Sequence, residues 1–127
     1  MHKILLSIGS NTDACSNMSK AKELLRSCFP TIKYTDAIET TPYGEKYTTP
    51  FLNSLAYLKT DLNSNEVVRQ LKAIERKMGR RASHKSEGIV IIDIDLLQWD
   101  TEILKPDDFE RDYMQQLIVE IDHSVDK

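Results

Sequence analysis

Ile89-Val90-Ile91-Ile92-Asp93-Ile94-Asp95-Leu96-Leu97 is the strongest β-forming run in the chain, and it carries two aspartates two positions apart. Aspartate is disfavoured in strands, and a pair of them in one strand needs a partner that outweighs desolvation and mutual repulsion. In an extended chain residues two apart share a face, about 6.6 Å from each other, so both carboxylates can grip one divalent cation or a close pair. Ile92, Ile94 and Leu96 then form the opposite face and are expected under a covering layer, with Asp93 and Asp95 pointing to the other side.

Just upstream, Asn63 and Glu66 have the spacing of a capping box, opening a helix whose apolar stripe is Val67, Leu71, Ile74 and Met78 and whose stop is Gly79. Cations crowd the helix end and the loop after it: Arg76, Lys77, Arg80, Arg81 and Lys85, with no acid between Arg76 and Ser86. Beside an acidic strand they point to a metal and phosphate site; the plainer alternative is a solvated helix end complementing its dipole.

Earlier still, residues 51–61 alternate as a strand, with Leu52, Ser54, Ala56 and Leu58 on one face and Phe51, Asn53, Leu55 and Tyr57 on the other. Residues 31–39 read as one strand, and Thr40 to Pro50 as a loop punctuated by Pro42, Gly44 and Pro50. The chain opens with the strand Ile4-Leu5-Leu6-Ser7-Ile8, closed by Gly9-Ser10-Asn11. A helix follows, with Ala14, Met18, Ala21, Leu25 and Cys28 on its stripe and Pro30 beyond its end. Residues 107–122 read as a loop leading into a helix with Met114, Leu117, Ile118 and Ile121 inward. The order predicts an α+β fold, a ferredoxin-like βαββαβ sandwich with a mostly antiparallel sheet, both helices on one face and an extra C-terminal helix. Its two central strands would be the first and the one bearing Asp93.

A length of 127 residues suits one domain over residues 1–127. The net charge of -3 argues against a nucleic-acid partner, so any phosphate binding is local. Cys15 and Cys28 have neither zinc nor evident disulfide spacing and read as reduced packing residues. The N-terminus lacks a secretory pattern and no apolar run has membrane length, so a cytoplasmic protein without a membrane partner is expected.

Two constellations carry chemistry. Asp93 and Asp95 suit Mg²⁺, which takes one or two carboxylates and leaves its other positions to water and phosphate oxygens. With Arg80 and Arg81 beside them, they suggest phosphoryl chemistry. Asn53 shares a strand face with Phe51, so a carboxamide with paired donor and acceptor sits beside an aromatic plane, a fit for a flat heterocycle. The alternative is a core phenylalanine and a strand-end asparagine.

In order along the chain stand Ile8-Gly9-Ser10-Asn11, Thr40 to Gly44, Phe51-Leu52-Asn53, Ile74-Glu75 before Gly79-Arg80, Asp93-Ile94-Asp95-Leu96, and Arg111 with Tyr113 beyond Pro106. This ordered set resembles the 6-hydroxymethyl-7,8-dihydropterin pyrophosphokinase family, the folate-pathway enzymes that move pyrophosphate from ATP to a pterin hydroxymethyl group. The resemblance implies that Asp93 and Asp95 hold two Mg²⁺ ions on ATP, the co-substrate, with Arg80 acting alongside them in catalysis. It implies that Asn53 reads the pterin edge, that Phe51 and Tyr113 sandwich the ring, and that Thr40, Pro42 and Tyr43 line its pocket. Glu75, Arg80, Arg81 and Arg111 would fall on the nucleotide side. The partners expected are the small molecules pterin and ATP; the sequence does not fix the oligomeric state, with a monomer favoured.

The chain departs from the family pattern at Val90 and Ala82, where arginines are usual, and at Asp107, where the family has histidine. Two other readings follow from those departures: a catalytically impaired module that binds pterin or nucleotide, and a ligand-free interaction domain. The last would show Asp93 and Asp95 in solvent and Phe51 in the core.

Overall fold

The structure, a computed structural model, describes residues 1–41, 49–105, 114–115 and 117–118, with backbone alone at 82, 85 and 86. Its elements are β1 (His2–Ser10), α1 (Ala14–Cys28), β2 (Lys33–Tyr34), β3 (Ile38–Thr40), β4 (Phe51–Thr60), α2 (Ser64–Lys77), a 3₁₀ segment (Ala82–Glu87), β5 (Asp93–Trp99) and β6 (Glu102–Ile103). The fold is α+β, with a sheet in the order β2-β4-β1-β5-β6, β3 also pairing with β4, and every ladder antiparallel.

β1 is central, flanked by β4 and β5. This corrects the expectation that β1 and the Asp93 strand form the middle pair: β4 is the longer neighbour, matching β1 from His2↔Thr60 to Ser10↔Leu52. Beyond β5, among the described residues, lies the two-residue β6.

One face of the sheet carries Ile4, Leu6, Ile8, Ala56, Leu58, Ile94 and Leu96, packed with Met18, Ala21 and Leu25 of α1 and Val67, Leu71 and Ile74 of α2. The α2 stripe is therefore the one its period gives, and Asn63 and Glu66 form the reciprocal capping box. Gly79, at φ +95°, takes the left-handed turn that ends the helix. On α1 the stripe ends differently. Phe29 is buried, while Cys28 and Cys15 are both exposed and free, so the cysteines are not packing residues.

The other face divides in two. Leu5, Leu55 and Leu97 form a second apolar cluster with Met114 and Leu117, and Ile38 and Ile118 pack against it. Gln115 and Ile118 are helical beside Met114 and Leu117; the rest of the expected C-terminal helix lies outside the described residues. Past this cluster, towards Gly9, the same face turns polar.

The expected single strand at 31–39 is split in two. Tyr34 pairs with Ala56 but Ile38 with Asn53, so three residues, Thr35 to Ala37, oppose two, Ser54 and Leu55. That extra residue is a bulge. It is held by Thr35, whose N–H donates to the Leu55 carbonyl at 2.9 Å and whose Oγ1 accepts the Leu55 N–H at 2.9 Å.

Candidate active site

Gly9 pairs with Asn53 on β4 and with Asp93 on β5. Directly paired residues share a face, so carboxamide, bare backbone and carboxylate form one row across three strands. The next row on that face is Leu55, Ser7 and Asp95. Asp93 and Asp95 therefore stand together at the polar end of the face, opposite Ile92, Ile94 and Leu96, as the alternation of the sequence requires.

β5 begins at Asp93 itself, later than the apolar run suggests. Beyond the row of Gly9 the ladder gives way to a side-chain clasp. Asn11 N–H donates to the Val90 carbonyl at 2.9 Å, and Asn11 Oδ1 accepts the Val90 N–H at 2.7 Å. Asn11 Nδ2 also donates to the Gly88 carbonyl at 2.9 Å, while its own carbonyl accepts from Thr49 Oγ1 at 3.2 Å. The end of β1 thus holds the segment leading into the acidic strand and touches Thr49, just before β4.

The acids are unequally placed. Asp93 is 39% exposed and accepts from Arg80 Nη1 at 2.9 Å; Asp95 is 26% exposed, with Lys105 Nζ at 3.9 Å. Burial, and then the charge of Asp93, push the Asp95 carboxyl up to about 6, against the pull of Lys105. Two adjoining carboxylates that resist joint ionisation suit a cation. Among the described residues no third His, Cys, Asp or Glu joins them, which fits the small protein ligand set of Mg²⁺ better than that of zinc.

Glu75, 3% exposed on α2, organises the side nearest the helices. Its Oε2 accepts from Arg80 and, at 2.9 Å, from the Ile94 N–H, while Lys72 Nζ lies 3.1 Å from Oε1. Both oxygens are engaged, so Glu75 fixes Arg80 and β5 rather than standing open to a ligand. Arg80 also donates to the Ile92 carbonyl at 3.3 Å. Burial works against its charge, but hydrogen bonds and charge from Asp93 and Glu75 outweigh it and raise its pKa. Arg81 is exposed at the start of the 3₁₀ segment, its N–H donating to His84 Nδ1 at 3.2 Å.

On the β4 side, Asn53 Nδ2 donates to Thr40 Oγ1 at 2.6 Å. Phe51, beside Asn53 on the same face, is half-buried. The structure thus brings together Thr40 and Asn53 on one side, and Glu75, Arg80, Asp93 and Asp95 on the other. Pro42, Tyr43, Arg111 and Tyr113 lie outside the described residues. Sequence reasoning took Gly9 and Asn11 as a turn after the first strand and as part of the family-like set, with no site role for either; their partners become visible only with the strand pairing. Lys72 and Lys105 carried no signal.

Comparison with known proteins gives a consistent result. The family model described as 7,8-dihydro-6-hydroxymethylpterin-pyrophosphokinase matches residues 5–123. The chain is 36% identical over 100 residues to the 2-amino-4-hydroxy-6-hydroxymethyldihydropteridine pyrophosphokinase of Porphyromonas gingivalis, covering 74% of this chain and 67% of that protein. It is 30% identical over 134 aligned positions to the protein of the same name from Aquifex aeolicus, covering 98% of this chain and 83% of the other. It is 32% identical over 110 residues to the folic acid synthesis protein FOL1 of Dictyostelium discoideum, covering 84% of this chain and 16% of that much longer one.

Proposed function

Because the chain belongs to the 7,8-dihydro-6-hydroxymethylpterin-pyrophosphokinase family, we propose that the row Asn53, Gly9 and Asp93 is where its two substrates meet. The protein is an ATP-dependent pyrophosphokinase of folate synthesis, transferring pyrophosphate to the hydroxymethyl group of 6-hydroxymethyl-7,8-dihydropterin and releasing AMP. The observation that carries the site assignment is that Asn53 and the acid pair share one sheet face, Asn53 and Asp93 two strand spacings or about 10 Å apart with Gly9 as the strand residue between them.

In this reading Asn53 reads the pterin edge, with its amide held by Thr40, and Phe51 and Tyr113 enclose the ring. Pro42 and Tyr43 line the same pocket. Asp93 and Asp95 hold Mg²⁺, two ions in the fullest form of the reading, and Arg80 fixes the orientation of Asp93. When bound, Mg²⁺ offsets the charge of the ATP phosphates and of the departing AMP. Arg80, Arg81 and Arg111 supply cationic surface on the nucleotide side, and Glu75 acts through Arg80. The hydroxymethyl oxygen attacks the β-phosphorus of ATP, the bond to the α,β-bridging oxygen breaks, and the hydroxymethyl proton passes to solvent. Positioning and charge stabilisation supply most of the acceleration, and no protein general base is required.

The finer architecture belongs to the same reading. A split second strand, β2 with β3, followed by β4, gives the βαββαβ order of a ferredoxin-like sandwich, with β6 as an appendage. The chain then works as one cytoplasmic domain and as a monomer.

The reaction is tested by phosphorus NMR of the products from Mg-ATP and the hydroxymethyl dihydropterin. AMP and a pterin pyrophosphate ester are expected in equal amounts. ADP and a pterin monophosphate would overturn the assignment.

A further inference from the structure

Gly9 is the only glycine in a described strand, and its φ is not positive, so the backbone conformation there does not require glycine. A glycine inside a strand is unfavourable by roughly 0.5–1 kcal/mol relative to alanine. Its presence between an amide and an acid therefore calls for another reason; the ladder to β4 and β5 is in regular register at Gly9, so no bulge accounts for it, and close approach by a ligand is a further reason for a strand glycine.

A Cβ built at Gly9 would stand 3.2 Å from Asn53 Oδ1 and 3.9 Å from the Leu52 carbonyl. No other described atom lies within 4 Å, and in particular none of Asp93. The crowding is one-sided. Nor can the amide turn aside freely, because its other end is tied to Thr40 Oγ1 at 2.6 Å. An added methyl would make the carboxamide give by a few tenths of an ångström, against the bond to Thr40 that holds its other end.

We infer that Gly9 is a specificity-determining residue for the pterin: lacking a side chain, it keeps the Asn53 carboxamide in the orientation fixed by Thr40 and lets a flat heterocycle lie against the backbone of β1. The inference rests on the proposed function, whose pterin it places, and it adds a residue that neither donates nor accepts through a side chain. It assigns Gly9 to pterin recognition rather than to the metal, although Asp93 is equally its neighbour in the sheet.

Gly9→Ala tests it by calorimetry with two probes. One is a non-hydrolysable ATP analogue with Mg²⁺; the other is 6-hydroxymethyl-7,8-dihydropterin added to that complex. The variant is expected to bind the pterin roughly ten- to a hundred-fold more weakly, to bind the nucleotide within about two-fold of wild type, and to melt no lower. Adding Thr40→Ala to Gly9→Ala frees the amide, so the two losses should be less than additive. Equal pterin affinity in wild type and Gly9→Ala would overturn the inference alone. Loss of the folded state would also overturn it, since protein atoms rather than a ligand would then need the space. A wild-type chain that binds no pterin would sink the functional reading beneath it.

Discussion

The Asp95 carboxyl lies where burial and the charge of Asp93 keep its proton on to about pH 6. The sign of the linkage is fixed by that direction. A carboxyl raised above its ordinary value of about 3.9 favours the folded state most below that value, and this contribution is lost as pH rises through about 6. A cation on the pair acts in the opposite sense, because Asp95 must release its proton to bind it. Mg²⁺ is therefore expected to raise the melting temperature more at pH 8 than at pH 5, with affinity climbing through about pH 6. A Mg²⁺ shift that is the same at both values would contradict the assignment of Asp95 as a ligand. Much of this was legible from residues alone: the period of a strand puts Asp93 and Asp95 on one face whatever the fold. Their inequality was not, since it depends on how deeply the fold buries Asp95 and on Arg80 reaching Asp93 from another segment.

At the scale of elements, α2 and β5 are joined by Glu75, which accepts the Ile94 N–H at 2.9 Å from inside the core. Glu75→Ala would leave that N–H and Arg80 without their acceptor, a loss of about 1–3 kcal/mol in stability, read as a lower urea midpoint. Mg²⁺-nucleotide affinity should fall with it, as Asp93 loses the fixed Arg80. An unchanged midpoint would show that the ion pair is ornamental. The helix itself was plain in the sequence, because Asn63, Glu66 and Gly79 mark its ends and Val67, Leu71 and Ile74 its face. The bulge at Thr35 was hidden. Simple alternation from Tyr34, which packs on the helix side, would turn Thr40 to that side too; one extra residue reverses the parity and brings Thr40 round to Asn53. Nothing local distinguishes a threonine that will replace a ladder acceptor from one that will simply extend a strand. Asn11 hid the start of β5 in the same way, by offering Val90 a side-chain amide in place of a strand partner.

Over the whole molecule, the two sheet faces divide the labour. The face under α1 and α2 is mostly apolar, with Ser10, Ser54 and Thr60 buried among its aliphatic residues, and supplies the larger core. Among the described residues the other face has its apolar cluster around Leu5, Leu55 and Leu97, and its end towards Gly9 carries Phe51, Asn53, Asp93 and Asp95. The proposed site puts recognition of the heterocycle on the β4 side of β1 and handling of the phosphates on the β5 side. The most direct test of that division is steady-state AMP release from Mg-ATP, measured against pterin concentration for wild type, Asn53→Ala and Asp95→Ala. Asn53→Ala should raise the pterin KM by roughly five- to a hundred-fold, the effect of about 1–3 kcal/mol from an unpaired polar edge, while keeping most of kcat. Asp95→Ala should abolish AMP release at every pterin concentration. AMP release by Asp95→Ala at the wild-type rate, or an unchanged pterin KM in Asn53→Ala, would contradict it.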